Sequence, residues 1–274
     1  IETTGGLSQP GGTIDVQVTI RSHSGSQIKT GQVKLACTEQ SWQKDSASDS
    51  GQGRLQSNQV LSQPLVQSFI TDAEVKRGEP LSRYARFQVP ADAPPTVYGA
   101  IAQVSWEVTA NLEFDTGKTA TKSQEITVLT SPISVPRRSA ADLTEEATFS
   151  GCTLAMVLVN DVVGAGGYLE GELRARMNVT DQAKEIRMEL ISIETAGDRQ
   201  SESVRERLSL ESNVQLTVNR PYVWAFSLPV PERTFPTLKT EKTTVSWLLK
   251  AVVETDQGGE AYHLEREVQI FTSV

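Results

Sequence analysis

The residues able to do chemistry are few and scattered. The chain has two histidines, His23 in the polar run RSHSGS and His263 in AYHLEREV, and two cysteines, Cys37 and Cys152. Acid–base or nucleophilic catalysis needs such groups gathered with a carboxylate or second base, and nothing in the sequence places these together. No HxH, CxxC, HExxH or GxSxG spacing occurs. Two thiols in the apolar runs KLAC and GCTLAMV read as buried small hydrophobes. The glycine run Gly164–Gly167 leads into a strand pattern, so it lacks the helix N-terminus that phosphate binding uses and reads as a turn. Asp45 and Asp49 in DSASDS, and the pair Glu145-Glu146, offer too few oxygens for a calcium loop. Asn178-Val179-Thr180 matches a glycosylation acceptor but reads as part of a strand. The expectation is a protein with no catalytic residue, no cofactor and no metal site.

Charge narrows the partners. A net charge of −8 and a pI near 5.0 leave no basic surface for phosphate neutralisation, so no nucleic-acid partner is expected. Arg137-Arg138 reads as a solvated pair in a linker. The apolar run around Leu154–Val159 is far short of the roughly 20 residues that span a bilayer, so it reads as a buried strand and no transmembrane segment is expected.

The elements that would carry these residues follow a period of two. Ile14, Val16, Val18 and Ile20 alternate with polar neighbours, as do Val104–Phe114, Leu169–Val179 and Val214–Val218. Successive side chains of a strand face opposite ways, so each run predicts a half-buried antiparallel strand. Shorter runs predict strands at Val33–Cys37, Leu65–Ile70, Tyr84–Val89, Ile126–Leu129, Ile186–Ile191, Arg205–Leu210, Tyr222–Leu228 and Val268–Phe271. The one helix candidate is Ala140–Ala147 with Ser139 as its N-cap. The polar stretch Trp42–Ser57 reads as a surface loop.

The chain repeats itself. FQVP (Phe87–Pro90) leads through a proline-rich segment to VSWEVTANLEF (Val104–Phe114), a DTGK turn and EITVLTS; FSLP (Phe226–Pro229) leads to VSWLLKAVVET (Val245–Thr255), a DQGG turn and EVQIFTS. PGGTIDVQV (Pro10–Val18) likewise matches AGGYLEGEL (Ala165–Leu173). This gives two tandem immunoglobulin-like antiparallel β-sandwiches, residues 1–131 and 140–274, joined by a linker at 132–139. Trp106 and Trp247 sit on the apolar phase of matching strands, which makes them core residues rather than a sugar-stacking row. The second copy has an apolar strand, CTLAMVLV, before its Gly-Gly turn. The first has only Ile1–Gln9 there, which is poor strand material, so an unfilled sheet edge is expected. Leu248 and Val252 put apolar residues on the outer phase of their strand and are the candidate interaction residues.

The segment VPADAPPTVYGAIAQVSWEVTANLEF (Val89–Phe114) and the turn PGGTIDVQVTI (Pro10–Ile20) resemble the arrestin-like family, in the style of its minimal bacterial sporulation-control members. Gly12-Thr13 and Gly167-Tyr168 lack the glutamate usual after that turn. Pro94-Pro95-Thr96-Val97-Tyr98 is one residue too long for a PPxY motif, so ligase recruitment by that route is not expected. No clathrin-type tail is expected after Val274. The resemblance implies a bilobed, non-enzymatic cytoplasmic adaptor in trafficking or signalling, binding protein partners, membrane-associated ones included, through sandwich edges and loops. The alternative reading is an extracellular adhesion or carbohydrate-binding tandem sandwich, with Trp42 as its test residue. Self-association through the first domain's open edge is a third expectation.

Overall fold

The computed structural model describes residues 2–4, 6–44, 53–61, 63–130, 139, 141–255 and 261–272. Strand makes up 72% of the structure and no helix is found among these residues, as the period-two patterning requires. The chain divides into two compact units: Ile1–Thr130 with Ala196–Arg199 and Lys239–Thr243, and Ser131–Thr195 with Gln200–Leu238 and Thr244–Val274.

In the first unit, β1 (Glu2–Thr4), β3 (Thr13–Ile20) and β7 (Leu81–Gln88) form one sheet in the order β1-β3-β7. The second sheet runs β2 (Leu7–Ser8), β10 (Thr119–Val128), β9 (Gln103–Phe114), β4 (Ser26–Lys44), β5 (Gly53–Gln59). Two further strands join it, β6 (Leu65–Val75) on β4 and β8 (Val97–Tyr98) on β9. In β3 the apolar phase Ile14, Val16, Val18, Ile20 is buried and the intervening polar residues are not. Gly31 sits at a register shift between β4 and β6, and a Cβ there would lie 2.3 Å from Ile70, so only glycine fits.

The second unit pairs a sheet of β11 (Thr144–Thr148), β12 (Cys152–Leu158), β14 (Tyr168–Met177) and β17 (Pro221–Pro229) with a larger one. The larger sheet runs β13 (Val162–Gly164), β20 (Ala261–Phe271), β19 (Thr243–Thr255), β15 (Asp181–Ala196), β16 (Arg199–Leu216), with β18 (Leu238–Lys239) on β19; its end residues Ala196, Arg199, Lys239 and Thr243 group with the first unit.

The repeat extends to hydrogen bonds. Gly11 (φ 77°) and Gly166 (φ 79°) both take the left-handed conformation that glycine adopts without a Cβ penalty. Gly11 N–H donates to Val89 O at 3.2 Å and Gly166 N–H to Val230 O at 3.1 Å; Val89 N–H returns a bond to Gly12 O and Val230 N–H to Gly167 O, both 2.8 Å. A second hook recurs downstream: Thr96 Oγ1 accepts from Val128 N–H and Thr237 Oγ1 from Ile270 N–H, each at 2.9 Å. Both threonine N–H groups donate back to the same residues, Thr96 to Val128 O at 2.8 Å and Thr237 to Ile270 O at 2.7 Å. Each hook follows a proline, Pro95 or Pro236, and ties the incoming chain to the last long strand of its unit.

These bonds correct the alignment read from sequence. Val89-Pro90 corresponds to Val230-Pro231, so FQVP matches LPVP and not FSLP. The shift of two residues preserves which face each side chain takes, so the pattern alone could not expose it. The helix expected at Ala140–Ala147 is a turn followed by β11. Asp142 N–H does donate to Ser139 Oγ at 3.3 Å, as in a cap, but β11 then pairs along β12 from Thr144↔Val157 to Thr148↔Thr153, and ladder formation prevails over the local signal. The described residues of the loop read at Trp42–Ser57, 42–44 and 53–57, are strand: β4 reaches Lys44, and β5 pairs with it from Lys44↔Gly53 to Thr38↔Gln59. Asp45 and Asp49, the linker's Arg137-Arg138 and the DQGG turn lie outside the described residues. Val214–Leu216 is the end of β16, continuing past Asn213 in the left-handed region, rather than a separate strand.

Candidate interaction surface

The opening of the chain does form a strand. Glu2, Thr3 and Thr4 pair antiparallel with Gln17, Val16 and Asp15, against the expectation that the first residues leave the edge empty. The cover is short. In the second unit β12 pairs with β14 from Leu158↔Gly171 to Cys152↔Met177. The matched Gly-Gly turns put β3 on β14 so that Val18 corresponds to Leu173 and Ile20 to Ala175. On that register Glu2–Thr4 stands for the last residues of β12. The positions of Cys152–Met156 have no counterpart among the described residues of the first unit.

Beside these positions lies a groove of about 250 Å³ lined by Val18, Ile20, Leu112, Phe114 and Ala120, with Arg21 and Lys122 among its lining residues. The equivalent wall of the second unit is covered. Leu112 and Ala120 pair across β9 and β10 as Val253 and Tyr262 do across β19 and β20, and Ala110 and Lys122 as Ala251 and Leu264 do. Leu264 is 5% exposed, whereas Lys122 at its position is exposed and Leu112 is half-buried. Tyr262 packs against the turn before β12: its ring centroid lies 5.5 Å from that of Phe149, and a Cβ on Gly151 would fall 2.0 Å from its hydroxyl.

Arg266 ties the covering layer down. Its guanidinium donates to Asp142 O, and to Asp161 Oδ2 at 3.3 Å, with both side chains almost fully buried. In the first unit the equivalent residue is Gln124.

Leu248 and Val252 lie on the other face of β19, opposite Glu267 and His263. Leu248 is half-buried and Val252 only 2% exposed. Ion pairs share this face of the sheet. Lys250 meets Glu265 at 2.7 Å, and Arg187 meets Glu189 at 2.7 Å, Glu254 at 2.9 Å and Glu185 at 3.3 Å. Burial pulls the Arg187 guanidinium down, but its hydrogen bond and charge contact with Glu189, helped by Glu254 and Glu185, leave it raised and fully charged. A partner on this face meets charged pairs and Leu248 before it meets Val252.

The other candidates disperse. His23 lies in an exposed turn of the first unit and His263 is exposed on β20 of the second. Cys37 and Cys152 are buried free thiols; burial, with the charge of Glu39 adding in the first case, pushes them up to about 12 and about 11. Both stay protonated at neutral pH and are poor nucleophiles. Trp106 and Trp247 are fully buried. Trp42 is half-buried, with the Arg199 guanidinium of the same unit 3.7 Å from its ring centroid, so one ring face is already taken. Among the described residues no group of three or more potential ligands could hold a metal ion, and no helix is long and apolar enough to cross a membrane. Asn178-Val179-Thr180 is not in a strand: it forms an exposed turn after β14, with Asn178 Nδ2 donating to Phe149 O at 3.3 Å. No family model matches the chain, and comparison with curated proteins returns no match.

Proposed function

We propose that the chain is a non-enzymatic, arrestin-like adaptor built of two tandem immunoglobulin-like sandwiches, which works in the cytoplasm and binds partner proteins through sandwich edges. The observation that carries this reading is the outer edge of β7, which ends the sheet order β1-β3-β7 and pairs with β3 alone among the described residues. A strand edge of this kind offers backbone donors and acceptors to an extended segment of another protein. The paired glycine turns and proline-threonine hooks support a duplicated rigid frame, which suits recognition. The test is affinity purification from native extract with the whole tagged chain, followed by crosslink mapping. The expected result is a reproducible protein partner crosslinked near the edge strand β7; no reproducible partner overturns the reading.

One observation favours the extracellular alternative: the Asn178 acceptor lies in an exposed turn, where a glycan has room. Secretion from a eukaryotic host separates the two readings. A mobility shift removed by N-glycosidase and abolished in Asn178→Gln, together with glycan binding lost in Trp42→Ala, favours adhesion; no shift and no glycan binding favours the adaptor.

A further inference from the structure

The outer edge of β7 is closed by side chains rather than by a strand. Val89 exchanges bonds with the Gly11-Gly12 turn. By alternation, the odd-numbered residues of β7 bond towards β3, and Ser82, Tyr84, Arg86 and Gln88 turn their N–H and C=O groups outward. Two of these positions are already occupied. The Gln67 carboxamide of β6 donates to Arg86 O and accepts from Arg86 N–H at 3.2 Å, the exchange that one residue of an antiparallel strand would make. Arg83 Nη1 donates to Ser82 O at 2.9 Å. Tyr84, between them and 70% exposed, has no protein partner for its backbone groups among the described residues.

The corresponding edge of the second unit is blunted in another way. Val230 stands for Val89, so the outward positions of β17 are Pro221, Val223, Ala225, Ser227 and Pro229, and the two prolines have no N–H to offer. β7 contains no proline. Gln67 is exposed, so water can replace its bonds at little cost, whereas a proline is permanent. Charge at the β7 edge also runs against the chain's balance of −8: residues 76–86 hold Lys76, Arg77, Arg83 and Arg86 against Glu79 alone. Arg86 gives Nε and Nη2 to Asp15, and its Nη1 donates to no protein group among the described residues.

We infer that the β7 edge takes an extended, acidic segment of a partner protein as an antiparallel strand, which displaces Gln67 from Arg86 and sets a carboxylate beside Arg86 Nη1. The inference rests on the adaptor reading and names the partner's chemistry. The residue that replaces the Gln67 amide stands directly opposite Arg86, and side chains opposite one another share a face of the sheet. That residue and those two positions away therefore face Arg86, Tyr84 and Ser82, while the alternate positions carry apolar side chains beside Ala85 and Phe87. Lys76 and Arg77, in the turn before β7, steer the segment in. Gln67 holds the edge shut against strands that bring no such charge.

Two labelled eight-residue peptides serve as probes with the whole chain, one alternating valine with glutamate and one alternating valine with lysine. Fluorescence anisotropy should show the glutamate peptide binding more tightly by about tenfold. Gln67→Ala should tighten that peptide by about a further fivefold, as two exposed hydrogen bonds no longer have to be broken. A Gln67 that only braced the sandwich would leave the affinity unchanged or lower. Tyr84→Pro deletes one outward N–H and no bond to β3, and should weaken binding by about tenfold relative to Tyr84→Ser, which keeps the N–H. Circular dichroism confirms that each variant folds; should Tyr84→Pro not fold, Gln67→Ala decides alone. Equal binding of both peptides, an affinity that Gln67→Ala does not raise, or a folded Tyr84→Pro that binds like Tyr84→Ser overturns the inference. So does self-association of peptide-free Gln67→Ala in sedimentation, since the occupant would then be a second copy. A chain that captures a protein from extract yet ignores both peptides keeps the adaptor reading and loses this strand site. Peptide binding that Gln67→Ala tightens, with no captured protein, does the reverse.

Discussion

Lys122 and Leu264 occupy the same position on the same strand of two copies of one unit, yet one is solvated and the other buried. What separates them is a neighbour. The second unit has Cys152–Met156 over that position, with Arg266 fastening the layer to Asp142 and Asp161; among the described residues of the first, the pairing of Glu2–Thr4 does not reach it. The lesson is that a sandwich frame can be held by turn and hook geometry common to both copies while one side is left free to vary. The shared bonds of Gly11 and Gly166, and of Thr96 and Thr237, sit away from the side that differs.

The fastening should be the most sensitive part. Arg266→Ala leaves Asp161 buried without its guanidinium, and removing one partner of such a pair costs about 3–5 kcal/mol. Chemical denaturation should show that loss in the second unit alone. Gln124→Ala, its counterpart in the first, should cost less than about 1 kcal/mol. Comparable losses would mean that the two sides are not built differently.

The hooks should behave alike. Thr96→Val and Thr237→Val each orphan a strand N–H while keeping the side-chain shape, which costs about 1–3 kcal/mol. A large effect in one unit and none in the other would break the equivalence of the frames.

The tryptophans sharpen the comparison. Trp106 Nε1 donates to Pro94 O at 2.9 Å, whereas buried Trp247 Nε1 has no partner among the described residues. Trp106→Phe should therefore cost more than Trp247→Phe, by about 1 kcal/mol. The sequence explains the asymmetry: the residue before the hook proline is Pro94 in one copy and Phe235 in the other, and Phe235 packs its ring 5.7 Å from Trp247 instead.

The smallest effect should come from the groove. Lys122→Leu restores the residue of the second unit at a position that is exposed here, and thermal unfolding should move by no more than about 0.5 kcal/mol. A large gain in stability would imply that the groove is closed.

The sequence made the strong strands legible because their cores alternate without interruption, as in Ile14–Ile20 and Val104–Ala110. It hid those that bury little. GRLQSNQ in β5 has no apolar phase, and Glu2–Thr4 joins its sheet through backbone bonds that any residue can make. The Ser139–Asp142 cap pointed to a helix because such bonds are local, whereas the pairing of β11 with β12 is not. On β19 the outer phase did mark an unusual face, but the sequence could not show that Val252 would be buried among ion pairs brought in from β15 and β20.

Residue-resolved amide hydrogen exchange on the whole, peptide-free chain tests the central claim most directly, because protection reports which strand edges are covered. Arg174–Arg176 should exchange slowly, held by β12 on one side and β17 on the other, while Val18–Ile20, which among the described residues pair with β7 alone, should exchange much faster than Asp15–Gln17 of the same strand. Equal protection along the whole of β3, matching that of β14, would contradict the account.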